Sequence, residues 1–253
     1  GQNPFFLGFD ERLPFGVRVV CRPPNWELNA NVFENSENMV LELNIQGVPS
    51  TDVEDMVVAY IGDTICGRAY IQYVPQVNKY LAYLTIYGNP THILDPIRLE
   101  IWDASACLRY AVVEDYFTFQ PDNVIGNPIA PQVVHTSGYV IRDVPLGYGW
   151  NWLSFNLAFP DSDLDAALAS LKHPESDLMK GQSAFSIHVP GAGWIGTLDT
   201  LGNKSMYIYR ASQPDTLKML GDLINPATTS IPLVSGWNWI AYIPNYSLPL
   251  NDA

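Results

Sequence analysis

Apolar residues recur at every second position through much of the first half of the chain, the period of a half-buried strand. Met39-Val40-Leu41-Glu42-Leu43-Asn44-Ile45 alternates apolar and polar after Val40, and Gln46-Gly47-Val48-Pro49 turns it. Met56-Val57-Val58-Ala59-Tyr60-Ile61 is apolar throughout, which suits a strand covered on both faces. Gly62-Asp63 turns the chain into Ile65–Tyr70. Tyr80–Tyr87, Ile97–Trp102, Leu108–Val112 and Tyr116–Phe119 continue the series. Ahead of them, residues 1–22 read as a leading segment with short strands at Asn3–Leu7 and Val17–Val20, closed by Arg22-Pro23-Pro24. Short strands with turn signals at roughly 8–12-residue spacing predict an immunoglobulin-like β-sandwich over residues 23–133.

The pattern changes after residues 129–138, where Pro, Ser and Gly without apolar periodicity read as a linker between separable domains. Trp150–Leu157 predicts a buried strand. Leu164, Ala167, Leu168 and Leu171 share one helical face, with Ser162 as N-cap and Asp165 three residues on. Strands are predicted at Ala184–Val189, Trp194–Leu198, Met206–Tyr209 and Thr216–Leu220. Gly149-Trp150-Asn151-Trp152-Leu153 then returns 87 residues later as Gly236-Trp237-Asn238-Trp239-Ile240. Val144-Pro145-Leu146 likewise becomes Ile231-Pro232-Leu233. Such a period marks a repeated module. The reading is a β-rich α+β repeat module over 139–253, with a first repeat at 139–226 and a truncated second at 229–253. The second copy, too short to fold alone, is expected to lean on the first. Trp237–Ile243 would then run as a strand beside Trp150–Leu157 or pack over it, and the Pro244–Ala253 tail would be mobile or pinned by a neighbouring molecule.

The run Ser50–Ala69 resembles a module of large secreted proteins of Bacteroidota and related bacteria. The likeness continues through Tyr80–Asn89, Ile101-Trp102-Asp103-Ala104-Ser105 and Phe119–Pro128. It covers about residues 25–133, and the Trp-Asn-Trp module resembles tandem repeats of the same class. The resemblance implies a bacterial, extracellular or cell-surface location, in adhesin-like polypeptides or beside glycan-active enzymes. It implies neighbouring modules of the same polypeptide as partners, together with a polysaccharide or another cell-surface protein. It implies no particular activity.

Charge narrows the partners. Thirteen basic against 26 acidic residues give a net charge of −13, which disfavours nucleic acid and anionic membranes. No apolar run is long enough to span a bilayer. The three cysteines, Cys21, Cys66 and Cys107, lack the spacing of a zinc or redox site. One disulfide plus an odd thiol is the simplest oxidising arrangement, and three buried thiols the alternative. Cys66 and Cys107 both fall on predicted strands of the sandwich or their ends, so they are expected to pair and leave Cys21 free.

Two groups of residues are candidates for binding. Trp150 and Trp152, like Trp237 and Trp239, lie two apart and share a strand face, and Trp194 belongs to the same module. Large aromatics ordinarily form one layer of core, and flanking Leu153 and Phe155 favour that use here. The alternative is an aromatic platform for sugar rings. Exposure of both indoles in either pair would favour carbohydrate binding, and burial of both a scaffold. Asp52, Glu54, Asp55 and Asp63 supply hard oxygen ligands of the kind Ca²⁺ takes. They lack the twelve-residue helix-loop-helix pattern, so solvated turns are the simpler account. No other cofactor is expected. The four histidines are scattered outside any catalytic motif, and no nucleophile elbow occurs. The chain is therefore expected to be a non-catalytic structural or adhesive fragment of a secreted multi-module protein. Carbohydrate binding is the alternative, and an accessory region of a glycan-active enzyme a distant third.

Overall fold

The computed structural model describes residues 5–9, 17–21, 23–112, 116–172 and 174–244, with side chains from residue 23 onward. The protein is mainly β and divides into two compact units, one ending at Gly138 and the other starting at Tyr139.

In the first unit, β1 (Phe5–Phe9) and β2 (Val17–Cys21) form an antiparallel hairpin. The main body comprises β3 (Asn35–Ile45), β4 (Val48–Pro49), β5 (Met56–Ile61), β6 (Thr64–Val74), β7 (Lys79–Gly88), β8 (Pro96–Asp103), β9 (Leu108–Ala111), β10 (Phe117–Thr118), β11 (Val124–Ile125) and β12 (Gln132–His135). Strand β6 belongs to two layers. Its first part, up to Tyr70, pairs antiparallel with β5, and from Ile71 it pairs with β7. One layer continues through β7 to β3, and the other through β5 to β8 and β9. The alternating positions read from the sequence meet between the layers: Met39, Leu41 and Leu43 of β3, Leu84 and Ile86 of β7, and Leu99 and Ile101 of β8. Each such side chain, fully buried, contributes roughly 1.5–3 kcal/mol. As its composition predicts, β5 is buried at all six positions. Val57, Ala59 and Ile61 face this core, while Met56, Val58 and Tyr60 face a second cluster with Trp26 and Trp102.

The stretch read as a linker is sewn into this unit. Strand β12 pairs in parallel with β3, from Gln132 opposite Leu41 to His135 opposite Asn44. Thr136 N–H donates to Asn44 O (3.0 Å) and Ser137 N–H to Ala111 O (2.8 Å). Weak periodicity hid this strand because a parallel addition of four residues needs no alternating face of its own. The first unit therefore runs to Gly138, five residues beyond the end expected at 133, and the second unit starts at Tyr139, the expected first residue of the repeat module.

The second unit has two antiparallel groups of strands. One joins β13 (Val140–Leu146), β15 (Leu157–Ala158) and β20 (Asp215–Leu223). The other is a five-stranded sheet in the order β14 (Gly149–Ser154), β19 (Met206–Ala211), β16 (Leu178–Lys180), β17 (Phe185–Val189) and β18 (Gly193–Gly196). The helix α1 is one turn, Leu164–Ala167. Its cap is Asp163, one residue later than expected, whose carboxylate accepts from the N–H groups of Asp165 and Ala166. Among the described residues no helix is long and apolar enough to cross a membrane.

Candidate functional site

The acidic cluster does not assemble. Asp55 ends the loop before β5 and Asp63 lies in the turn after it, so a six-residue strand, about 20 Å long, separates them. Glu54 and Asp63 are exposed, while Asp55 is buried. Asp55 holds the fold instead. Its Oδ1 accepts from Ala104 N–H (2.8 Å) and its Oδ2 from the Ser50 hydroxyl. Asp103 in turn accepts from Ser105 Oγ and Ala106 N–H, both at 2.8 Å, closing the β8–β9 turn. Two motifs distant in the sequence are thus tied through one carboxylate. Burial pushes the Asp55 carboxyl above its ordinary value of 3.8. Among the described residues no three metal-ligating side chains come together.

The expected Cys66–Cys107 disulfide is also not formed. Cys66 is a free, buried thiol inside the layer interface, donating weakly to Thr64 O (3.4 Å), and burial pushes it up. Cys107 packs with the Trp26 cluster on the opposite face of β5. Side chains packed into different clusters on opposite faces of β5 cannot bridge, whatever their spacing in sequence. The side chain of Cys21 lies outside the described residues.

The tryptophans divide by sheet register. Trp150 pairs with Arg210 and Trp152 with Ile208 across β14 and β19. Leu178 lies opposite Arg210, and Lys180 opposite Ile208. Leu178 then meets Ile187, and Ile187 meets Ile195. Opposed residues share a face, so two rows cross one side of the sheet. The first is Trp150, Arg210, Leu178, Ile187 and Ile195. The second is Trp152, Ile208, Lys180 and Phe185. This side is open. Trp150 is 58% and Trp152 68% exposed, and Phe185 and Ile195 are exposed too. The expectation that these indoles form core is wrong, because Leu153 and Tyr209, pointing the other way, fill that place.

Trp194 faces this opposite side. Its ring lies 5.4 Å from His188 and 6.0 Å from Tyr209. The Tyr209 hydroxyl donates to Asp177 Oδ2 (2.5 Å), and Asp177 Oδ1 accepts from Ser212 N–H (2.6 Å). Burial, with the Asp177 carboxylate beside it, pushes the Tyr209 phenol up and keeps it a donor. Trp194 is therefore separated from the other candidates by the thickness of the sheet.

The second motif is held against the first repeat, but not as a strand. Ile240 makes a single antiparallel bridge with Ser205. Gln182 clamps the backbone, donating to Trp237 O and accepting from Trp239 N–H, both at 2.8 Å. Trp237 is 90% exposed, whereas Trp239 is half-buried, its ring 5.8 Å from Lys180 Nζ. The tail over 245–253 lies outside the described residues.

What the two copies share is a turn. Asn151 Oδ1 accepts from Gly147 N–H (2.8 Å), and its Nδ2 donates to Gly147 O (2.8 Å) and Gly149 O (3.0 Å). Asn238 repeats this with Val234 N–H (2.9 Å), Val234 O (2.8 Å) and Gly236 O (3.1 Å). Gly149 (φ 86) and Gly236 (φ 96) take the left-handed conformation the turn needs. Gly and Asn thus explain half of Gly-Trp-Asn-Trp as architecture. The tryptophans of the first copy are left over.

No family model, curated protein or solved structure matches this chain.

Sequence reasoning missed Arg210 and Lys180, which share the open face with Trp150 and Trp152. The Arg210 guanidinium lies 5.9 Å from the Trp150 ring centroid. Nothing in the sequence links positions 150 and 210; only the strand pairing does. The latch asparagine carried a signal, its return in both copies, that was read as part of an aromatic motif.

Proposed function

We propose that this chain is a non-catalytic adhesive part of a secreted or cell-surface multi-module polypeptide, and that its second unit holds carbohydrate on Trp150 and Trp152. One observation carries the reading: two indoles stand exposed on one face of an edge strand, while the structural work of their motif is done by its Gly and Asn. Two residues apart on the strand, Trp150 and Trp152 have backbone positions about 7 Å apart, on the scale of one sugar residue in a chain. Exposed apolar area of this kind on a monomer usually marks an interaction site. The first unit serves as a spacer. Its two layers, joined by a strand that passes between them, support reading it as an immunoglobulin-like sandwich. The resemblance of its motifs to modules of bacterial surface proteins supports the location.

The test is affinity electrophoresis of the full chain through gels containing soluble polysaccharides. Trp150→Ala and Trp152→Ala should each weaken retardation by about tenfold, as expected for hot-spot aromatics, without changing the near-ultraviolet circular dichroism of the core. Equal retardation of wild type and the double variant, or none by any polymer, would sink the proposal.

A further inference from the structure

The geometry points to an anionic saccharide polymer, bearing carboxylate or sulfate groups, as the ligand of the Trp150–Trp152 face. This inference rests on the carbohydrate-binding reading and adds the ligand's charge. The chain is strongly acidic, with 26 carboxylates against 13 basic residues. On the open face of the five-stranded sheet that ratio inverts. The two rows that cross it contain Arg210 and Lys180 and no Asp or Glu. Both cations are exposed, and among the described residues neither is in an ion pair with a carboxylate.

Each cation also sits where a polymer stacked on the indoles would pass. Arg210 is directly opposite Trp150, and Lys180 lies two strands from Trp152, roughly 10 Å across the sheet. One arm of the Arg210 fork, Nη2, donates at long range to Ser176 O (3.4 Å), and the guanidinium lies over the Trp150 ring. That leaves most of its planar donor fork unused, and the fork matches carboxylate and sulfate oxygens alike. The Arg210 Cζ lies over the Trp150 ring, 5.9 Å from its centroid, and Trp152, 68% exposed, leaves the second indole for a sugar ring. Because β14 is the edge strand, a long chain can run past the pair without ending there. The net charge of −13 repels polyanions at long range, so any retention must come from a local site.

The experiment uses the full chain in affinity gels containing alginate, dextran sulfate, dextran or hydroxyethylcellulose. It compares wild type with Arg210→Gln, Lys180→Gln, their double variant, and Trp152→Ala, each checked for folding by circular dichroism. The expected result is retardation by alginate, by dextran sulfate or by both, weakening as salt rises. The double charge variant should lose about tenfold on those polymers and nothing on neutral ones. Trp152→Ala should lose binding to every polymer that binds. Retention by alginate alone would identify a carboxylate ligand, and by dextran sulfate alone a sulfate ligand. Retardation only by neutral polymers, unchanged in the charge variants, would overturn the anionic assignment and leave the aromatic platform standing. Retardation by the anionic polymers that survives Trp152→Ala intact would overturn both.

Discussion

The two units use their distinctive residues in opposite ways. In the first, the distinctive residues are consumed by the fold. Asp55 joins the loop before β5 to the β8–β9 turn, and Asp103 closes that turn. Gly67 is required because a Cβ there would stand 2.4 Å from Thr85 O of the neighbouring strand. Glu37, fully buried, accepts from Gln120 N–H (2.7 Å) and so ties the Phe119-Gln120-Pro121 segment to β3. In the second unit the motif splits. Gly149 and Asn151 build the turn, while the Trp150 and Trp152 side chains lie outside the core and stand largely in solvent. A motif side chain that the fold leaves exposed is better evidence of binding than the motif itself.

This contrast predicts a graded set of effects. The largest is Gly67→Ala, where a backbone carbonyl would have to move. We expect a loss of about 3 kcal/mol or more in denaturant unfolding of the first unit. A wild-type midpoint would mean that β6 and β7 tolerate separation. Next is Asp55→Ala, which strands the half-buried Ser50 hydroxyl and the Ala104 backbone N–H. It should cost about 2–3 kcal/mol by the same measurement. Asn151→Ala opens only a local turn, and about 1–2 kcal/mol should be lost from the second unit, with the first unaffected. Equal destabilisation of both units would break the comparison.

A smaller effect depends on pH. Burial raises the Glu37 carboxyl above 4.5 and the Asp55 carboxyl above 3.8. Between the unfolded and folded values the native state holds more protons than the unfolded one. Stability of the first unit should therefore fall as pH rises through that window, and remain lower above it. Unfolding midpoints of Glu37→Gln, followed across the same range, should fall less steeply than those of wild type; an identical slope would show that Glu37 ionises without cost. The smallest stability change belongs to Trp150→Ala and Trp152→Ala, under about 1 kcal/mol each, because more than half of each side chain is already in water. Trp194→Ala, on the inner side of the same sheet, should cost more than either. If the order reverses, the exposed indoles are structural after all.

Much of the strand pattern was legible in the residues. Met39–Ile45, Met56–Ile61 and Tyr80–Tyr87 each lie within, or coincide with, an observed strand. Their two-residue periods and apolar runs are local signals, and burial on a sheet face reads them directly. The Gly-Trp-Asn-Trp turn was equally local. It takes the same hydrogen bonds whether it enters a strand, at Asn151, or an irregular segment, at Asn238. Its recurrence in sequence therefore corresponds to a recurrent conformation.

Tertiary structure decided everything that depends on which side of a strand faces inward. Alternation shows that Trp150 and Trp152 share a face, but not whether that face is core; the pairing of β14 with β19 settles it. Register likewise turns Trp194 to the opposite side and brings Arg210 beside Trp150 from sixty positions away. Cys66 and Cys107 are kept apart by the two-sided burial of β5. Asp55 becomes a structural acceptor because the β8–β9 turn arrives over it. A strand has two faces of equal local geometry, so the choice between core and solvent belongs to its partners.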